Sequence, residues 1–337
     1  MAAKNPLSAS EIGTLWLTYQ EKTLIMRILE YFQQKALEKG QDADRQAINI
    51  MGGLWQELNH YVEIIIEILV NDGVAIPVGL TSEDVNLNAP ELYQNGFDLM
   101  FTRVLKEVSL GMYTINMNMA YREDVMSVYE GLTTVSQKIY KLCTHYLLKK
   151  GILTLPPKVT PPITTEFINN LSYLKGLNLF GELRPLNNIE LGYLHHGIEA
   201  NNIGLQLITG FAQVAEDKEV RQYFIKGKNL ALKQIKLFED LLLESDVQFS
   251  VTSGATVTNS TVAPFSQKLM MVCIFFLNGF SLVGQSFGSF FSLRNDISMK
   301  NALIAKEIYD YNEEGIKLLI KNRWLEEPPQ MENRSNK

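Results

Sequence analysis

Two pairs of histidine and carboxylate side chains are the residues in this sequence that could hold a metal ion. Glu57 and His60 lie three positions apart, and His195 and Glu199 lie four positions apart. In a helix either spacing places both side chains on one face, where an imidazole and a carboxylate could bind iron or zinc. If the two pairs met between two domains, they would form one composite metal site.

The helical phase around Glu57 and His60 favours a structural role for that pair. An apolar seam runs through Trp55, Leu58 and Val62 at helical spacing, and it points away from both polar side chains. Such a polar face is typical of a solvated helix surface, on which polar side chains three residues apart interact with each other. A metal site and a solvated surface both remain open as roles for Glu57 and His60, and the helical phase favours the solvated surface.

The second pair also has structural alternatives. His195 borders an apolar seam, which is typical of a partly buried imidazole that hydrogen-bonds to a neighbouring carboxylate. In a degenerate site, the Lys233 ammonium could instead replace the ion and pair with Glu199. That hypothesis requires Lys233 and Glu199 to be in contact.

No other pattern indicates catalysis. The sequence has no glycine-rich loop that could cradle a phosphate and no serine or cysteine in a nucleophile elbow. Cys143 and Cys273 lie among apolar residues, which predicts inert buried thiols. We therefore predict no catalytic residue, and no cofactor other than the iron or zinc considered above.

The composition is that of a folded protein without a basic surface. The chain has 337 residues, 46% of them hydrophobic, and 31 Lys and Arg against 37 Asp and Glu. This excludes a disordered chain, predicts about two domains and argues against binding to nucleic acid. We expect partners, if any, to be proteins or further copies of this chain.

One segment is long and apolar enough to span a bilayer. Residues 269–293 contain no charge, and Gly284 and Gly288 have the spacing of a membrane dimer motif. Asn278 and Gln285 within it favour a central helix of a soluble bundle, buried on most sides. Because residues 1–17 do not resemble a secretory signal, we expect a cytoplasmic protein that does not enter a membrane.

The chain consists of two copies of one unit. Matched segments recur in the same order, namely 6–16 with 185–195, 121–125 with 293–297, and 153–157 with 325–329. Apolar periodicity predicts four long helices in each copy. They are expected near 8–39, 42–72, 90–120 and 122–150 in the first copy, and near 187–215, 217–245, 265–292 and 294–322 in the second.

The lengths of the connections predict the topology. The first and third links of each copy are short, whereas the second link is long, over 73–90 and 246–264. About 18 extended residues span roughly 60 Å, more than the roughly 45 Å of a 30-residue helix. We therefore predict an all-α protein made of two tandem ferritin-like four-helix bundles with long crossover loops. The predicted boundaries are 1–155 and 186–327 for the bundles, 156–185 for a linker with a short helix near 164–174, and 328–337 for a disordered tail.

The duplicated bundle, the Pro-Pro end of each copy and the segment ELGYLHHGIEANN at 190–202 resemble an uncharacterised family from spore-forming bacteria. That family has tandem ferritin-like bundles and is similar to spore coat protein F. The resemblance covers the whole chain and implies the fold and an association with the spore, but no reaction.

Two functions remain open from the sequence. The favoured one is a non-catalytic structural or interaction protein, associated with the spore if the resemblance extends so far. The alternative is a metal-binding protein with a degenerate or inter-domain site. A di-iron site in such a bundle takes Glu-x-x-His from two helices, and this chain has it once, at Glu57 to His60.

Overall fold

A computed structural model describes residues 5–176, 183–247 and 256–331 of the chain. Within these ranges the protein is mainly helical, with eight long helices and two strands of two residues each. The helices are α1 Ala9–Glu38, α2 Arg45–Asn71, α3 Phe97–Met117, α4 Glu123–Lys149, α5 Asn188–Val214, α6 Lys218–Leu243, α7 Gln267–Phe291 and α8 Asn295–Lys321. The strands are β1 Tyr93–Gln94 and β2 Thr256–Val257. The predicted all-α fold is confirmed.

The first helix of each copy begins with the same capping motif. The Ser8 hydroxyl accepts from the Glu11 N–H, and the Glu11 carboxylate accepts from the Ser8 N–H. Asn187 and Glu190 repeat this reciprocal pair at the start of α5. Each box satisfies amide groups that the first helical turn cannot pair, so the start of both helices is encoded locally.

Hydrogen bonds at the two ends of α1–α4 show how the chain runs through the first unit. At one end Asp72, directly after α2, accepts from Leu7 before α1 and from Arg122 before α4. At the opposite end Asp44, before α2, pairs with Lys150 after α4. Helix α2 is therefore antiparallel to both α1 and α4.

The third helix begins at the end of the unit that holds Asp44. Lys39, just after α1, pairs there with Glu91, and a Cβ on Gly96 would touch Ile152 beyond α4. Residues 72–96 therefore return along the whole unit before α3 begins. This is the long crossover that the loop lengths predicted.

The second unit, α5–α8, has the same connectivity. At one end Arg294, before α8, donates its backbone N–H to Glu190 in α5 and its guanidinium to Ser245 after α6. At the other end the Asp217 N–H, before α6, donates to Gln267 at the start of α7. Helices α6 and α7 thus begin at the same end, as α2 and α3 do.

The two crossover segments pair with each other and join the units. Tyr93 and Val257 are partners in an antiparallel two-stranded ladder formed by β1 and β2. The Tyr93 hydroxyl also donates to the Leu207 carbonyl in α5, at 2.8 Å. The predicted start of the third helix near residue 90 was wrong, because Tyr93 and its neighbour form this ladder and α3 begins only at Phe97.

The predicted linker and the predicted C-terminal tail flank the second unit. In the linker, Leu171–Leu174 form one turn of 3-10 helix, and residues 177–182 lie outside the described ranges. Residues 328–331 of the predicted tail are exposed and without secondary structure, and residues 332–337 lie outside the described part.

Helix α7 is long and apolar enough, by length and composition, to cross a membrane. Core helices of soluble proteins meet the same criterion, so this is weak evidence. Only 39% of its most apolar window is buried, less than the sequence led us to expect. The exposed side chains of α7 include Phe287 and Phe290, whereas Gly284 and Gly288 line an internal cavity.

Candidate functional site

A cavity of about 470 Å³ lies at the centre of the second unit. It is lined by α5, α6, α7 and α8, and α3 of the first unit closes one side. Glycine and alanine make up much of the wall, at Gly197, Ala200, Gly204, Gly227, Gly284 and Gly288. The volume lies in the range of small-molecule pockets, and the wall is mostly apolar.

The cavity occupies the place that larger side chains fill in the first unit. The shared capping boxes set α5 in register with α1, and Arg122 and Arg294 set α7 and α8 in register with α3 and α4. The correspondences are Gly197 for Thr18, Ala200 for Glu21, Gly204 for Ile25, Gln285 for Tyr113, Gly288 for Asn116, and Asn301 for Tyr129. All six residues of the first unit are buried, and each cavity residue is smaller than its counterpart.

Two buried amides in the cavity wall lack hydrogen-bond partners. The side-chain oxygens of Gln234 in α6 and Asn301 in α8 are enclosed and bond to nothing that the structure describes. Both residues are only 3% exposed. A buried polar atom without a partner costs free energy, so these two amides mark where a polar group of a ligand would be stabilised.

In the first unit the corresponding position holds a cluster of charged side chains. The Glu21 carboxylate accepts from the hydroxyls of Ser109 and Tyr113, at 2.6 and 3.0 Å, and pairs with Lys22. Lys22 and Lys106 are both fully buried, and the Lys106 amine has no hydrogen-bond acceptor in the described structure. Burial lowers the pKa of both lysines, that of Lys106 well below its ordinary value.

These centres do not fit the di-iron site that the predicted fold implies. Such a site needs four carboxylates and two imidazoles converging from four helices. The first unit offers one carboxylate beside two amines, and the second offers amides and small apolar residues. Neither set of side chains would neutralise two iron ions.

A histidine and a glutamate from different units meet at the rim of the cavity. The Nε2 of His196 in α5 hydrogen-bonds to the Glu107 carboxylate of α3. This bond raises the pKa of His196, against the opposing effect of its burial. The pair links the two units beside the opening of the cavity.

The sequence-predicted residues His195 and Glu199 take other roles. Glu199 is buried and forms an ion pair with Arg103 of α3, at 2.5 Å, while Arg103 also donates to the Tyr140 hydroxyl. His195 is half-buried, which lowers its pKa. Glu199 therefore contributes to the contact between the units.

The hypothesis that Lys233 pairs with Glu199 was wrong. The Lys233 side chain is 65% exposed and pairs with Glu307 of α8. It projects outward because the cavity side of α6 is taken by Gln234 and the small residue Ala231.

Glu57 and His60 lie along an open groove between α2 and α4, on the outer face of the first unit. His60 is exposed and Glu57 half-buried. Among the described residues, no three His, Cys, Asp or Glu side chains are grouped so that they could hold a metal ion. A metal site formed by Glu57, His60, His195 and Glu199 therefore remains a prediction, and the described residues contain no ligand cluster that supports it.

The sequence analysis missed the residues that form the two bundle centres. Glu21 belongs to neither of the histidine–carboxylate pairs that the spacing singled out, so the sequence analysis did not consider it. A comparison of the two copies position by position would have shown the trend from large to small residues in α5, α7 and α8.

Comparison with known proteins shows one family and one similar structure. The sequence model of a family described as a protein of unknown function, DUF3231, matches residues 1–164 and again residues 174–336. A crystal structure of a candidate spore coat protein from Bacillus halodurans C-125 is similar, with a TM-score of 0.40 and 15% identity. That match covers 47% of this chain and 98% of the other chain. No curated protein matches.

Proposed function

The chain belongs to the DUF3231 family of proteins of unknown function, and we propose that it is a non-catalytic binding protein that holds one small apolar ligand in the cavity of its second unit. The observation that carries this proposal is the difference between the two copies. One bundle centre is filled by side chains, and the other is lined by their smaller counterparts.

Packing energetics support a ligand rather than an unused void. Protein interiors are close-packed, and a cavity wall loses the dispersion contacts that neighbouring atoms would provide. The first unit shows that this bundle can fill the same position with Ile25, Tyr113 and Tyr129. A ligand that enters the cavity would supply the missing contacts.

The chemistry of the wall supports binding without catalysis. Among the described lining residues the ionisable groups are Glu107 and His196, which pair with each other, and the phenols of Tyr193 and Tyr311. The other polar lining groups are amides and serine hydroxyls, which can orient a ligand. Location at the spore stays a prediction from the family resemblance, and it is compatible with this role.

Binding of N-phenyl-1-naphthylamine, a neutral apolar dye that fluoresces in apolar surroundings, tests the proposal. We expect the full chain to bind one dye molecule, and Gly284→Leu to weaken that binding because the leucine side chain occupies part of the cavity. Gly279→Leu is a matched control, since Gly279 lies on the same helix, has open space around it and does not line the cavity. Dye affinity in Gly284→Leu that equals that of Gly279→Leu, or no binding by the wild-type chain, would refute the proposal.

A further inference from the structure

We propose that the ligand of this cavity is an uncharged amphiphile, with an apolar chain and hydrogen-bonding groups that bond to Gln234 and Asn301. This inference rests on the proposed function and names the class of the ligand. It follows from the polar groups that line the cavity and from the lack, among the described lining residues, of charges that could pair with a charged ligand.

The buried amides require a ligand that can form hydrogen bonds. Gln234 and Asn301 lie on different helices, and each has an enclosed oxygen without a partner. A pure hydrocarbon would leave both oxygens unsatisfied, whereas hydroxyl or amide groups of a ligand could donate to them. Since an amide offers donors as well as acceptors, a ligand carbonyl could also be bound.

The charges around the cavity exclude an anionic head group. Among the described lining residues there is no lysine or arginine, and the imidazole of His196 is already paired with Glu107. The nearby Arg103 is paired with Glu199 and does not line the cavity. A carboxylate inside would be buried without a counter-charge, close to Glu107, which makes a free fatty acid unfavourable.

A cationic head group is unfavourable for a related reason. The carboxylate at the rim, Glu107, already bonds to His196, and a bound ammonium would have to displace that imidazole. Deeper in the cavity the remaining polar atoms are neutral. The uncharged class is therefore the one that the wall accommodates without leaving a buried charge unpaired.

Displacement of the dye by three ligands with the same ten-carbon chain length tests this inference. We expect 1-decanoylglycerol to displace N-phenyl-1-naphthylamine at least ten-fold more effectively than decanoate or decylammonium, with each ligand kept below its aggregation threshold. Equal or stronger displacement by either charged ligand would overturn the inference. If the dye itself does not bind, the proposed function fails instead, so the two failures are distinguishable.

Substitution of the amides tests the proposed hydrogen bonds. Gln234→Leu and Asn301→Leu should each weaken 1-decanoylglycerol about two- to ten-fold, the effect of losing one net hydrogen bond. Gln206→Leu is the matched control, because its side-chain oxygen is also buried without a partner but does not line the cavity. Unchanged binding of 1-decanoylglycerol by both cavity variants, or an equal loss in the control, would overturn the inference.

Discussion

Replacement of Glu190 by glutamine should destabilise the second unit far more than its single lost charge suggests. The Glu190 carboxylate is fully buried. It accepts two bonds from the Arg184 guanidinium and one each from the backbone N–H groups of Asn187, Leu293 and Arg294. These five donors come from the linker, the start of α5 and the turn before α8, so one carboxylate connects three segments.

The expected cost follows from the number of donors that would be left unpaired. A glutamine side chain has one acceptor oxygen, and its amide group would face N–H donors. Removing one partner of a buried ion pair typically costs about 3–5 kcal/mol. In a unit of this size that loss corresponds to a fall in melting temperature of about 6–20 °C. Burial by itself raises the pKa of Glu190, but bonds from Arg184, Asn187 and Arg294 lower it overall.

Hydrogen exchange followed by mass spectrometry should locate the damage. In Glu190→Gln we expect α5 and α8 to lose protection while α1 and α4 keep theirs, and a thermal scan should show the lowered transition. The control is Asp310→Asn, which removes an exposed ion pair with Lys306 and should leave both readouts unchanged. The reasoning is refuted if Glu190→Gln melts like this control, or if protection is lost equally in both units.

Three further outcomes can be measured by unfolding. Gly284→Leu should raise the free energy of unfolding in urea by about 2–3 kcal/mol, because it buries a side chain and improves helix propensity. Gly279→Leu should raise it by only about 0.5–1 kcal/mol. Equal gains in the two variants would contradict an empty cavity. The folded pKa of Lys106 lies well below its ordinary value of 10.5, so the unfolded chain binds the extra proton and this residue should contribute a rise in stability as pH increases toward 10.5. Lys106→Met should be more stable by about 1–4 kcal/mol at pH 7. Its urea midpoint should rise less with pH than that of the wild type, and an unchanged pH slope speaks against this assignment. Hydrogen bonding from Lys150 lowers the pKa of Asp44 from 3.8 to about 2, so its contribution is complete above pH 3.8 and is lost as pH falls through 2. Circular dichroism during acid titration should show this step weakened in Asp44→Asn, and an identical titration curve would disprove it.

The repeated sequence segments proved to be the residues that hold each bundle together. Glu11 accepts from the backbone of Arg122, and Arg122 pairs with Asp124. Glu190 and Arg294 repeat this arrangement in the second unit, where Arg294 pairs with its own neighbouring aspartate. Such residues can be recognised in a sequence because a cap and a turn depend on a few consecutive positions.

The contact between the units could not be predicted in the same way. The ion pair of Arg103 with Glu199 joins helices that are far apart in the sequence. Neither residue stands out locally, and Glu199 was interpreted as a candidate metal ligand from its spacing to His195. Only the packing of α3 against α5 identifies its partner.

The amino-acid sequence by itself determined the helices, the duplication and the long crossover connection, because periodicity, caps and loop lengths are properties of residues close together in the chain. The tertiary structure alone decided that the first bundle centre is filled and the second is open. The volume of a cavity is the sum of what several helices leave empty, so Gly204, Gly284 and Asn301 acquire their meaning only when they face one another. The same holds for Lys106, since the burial that lowers its pKa arises from neighbouring helices.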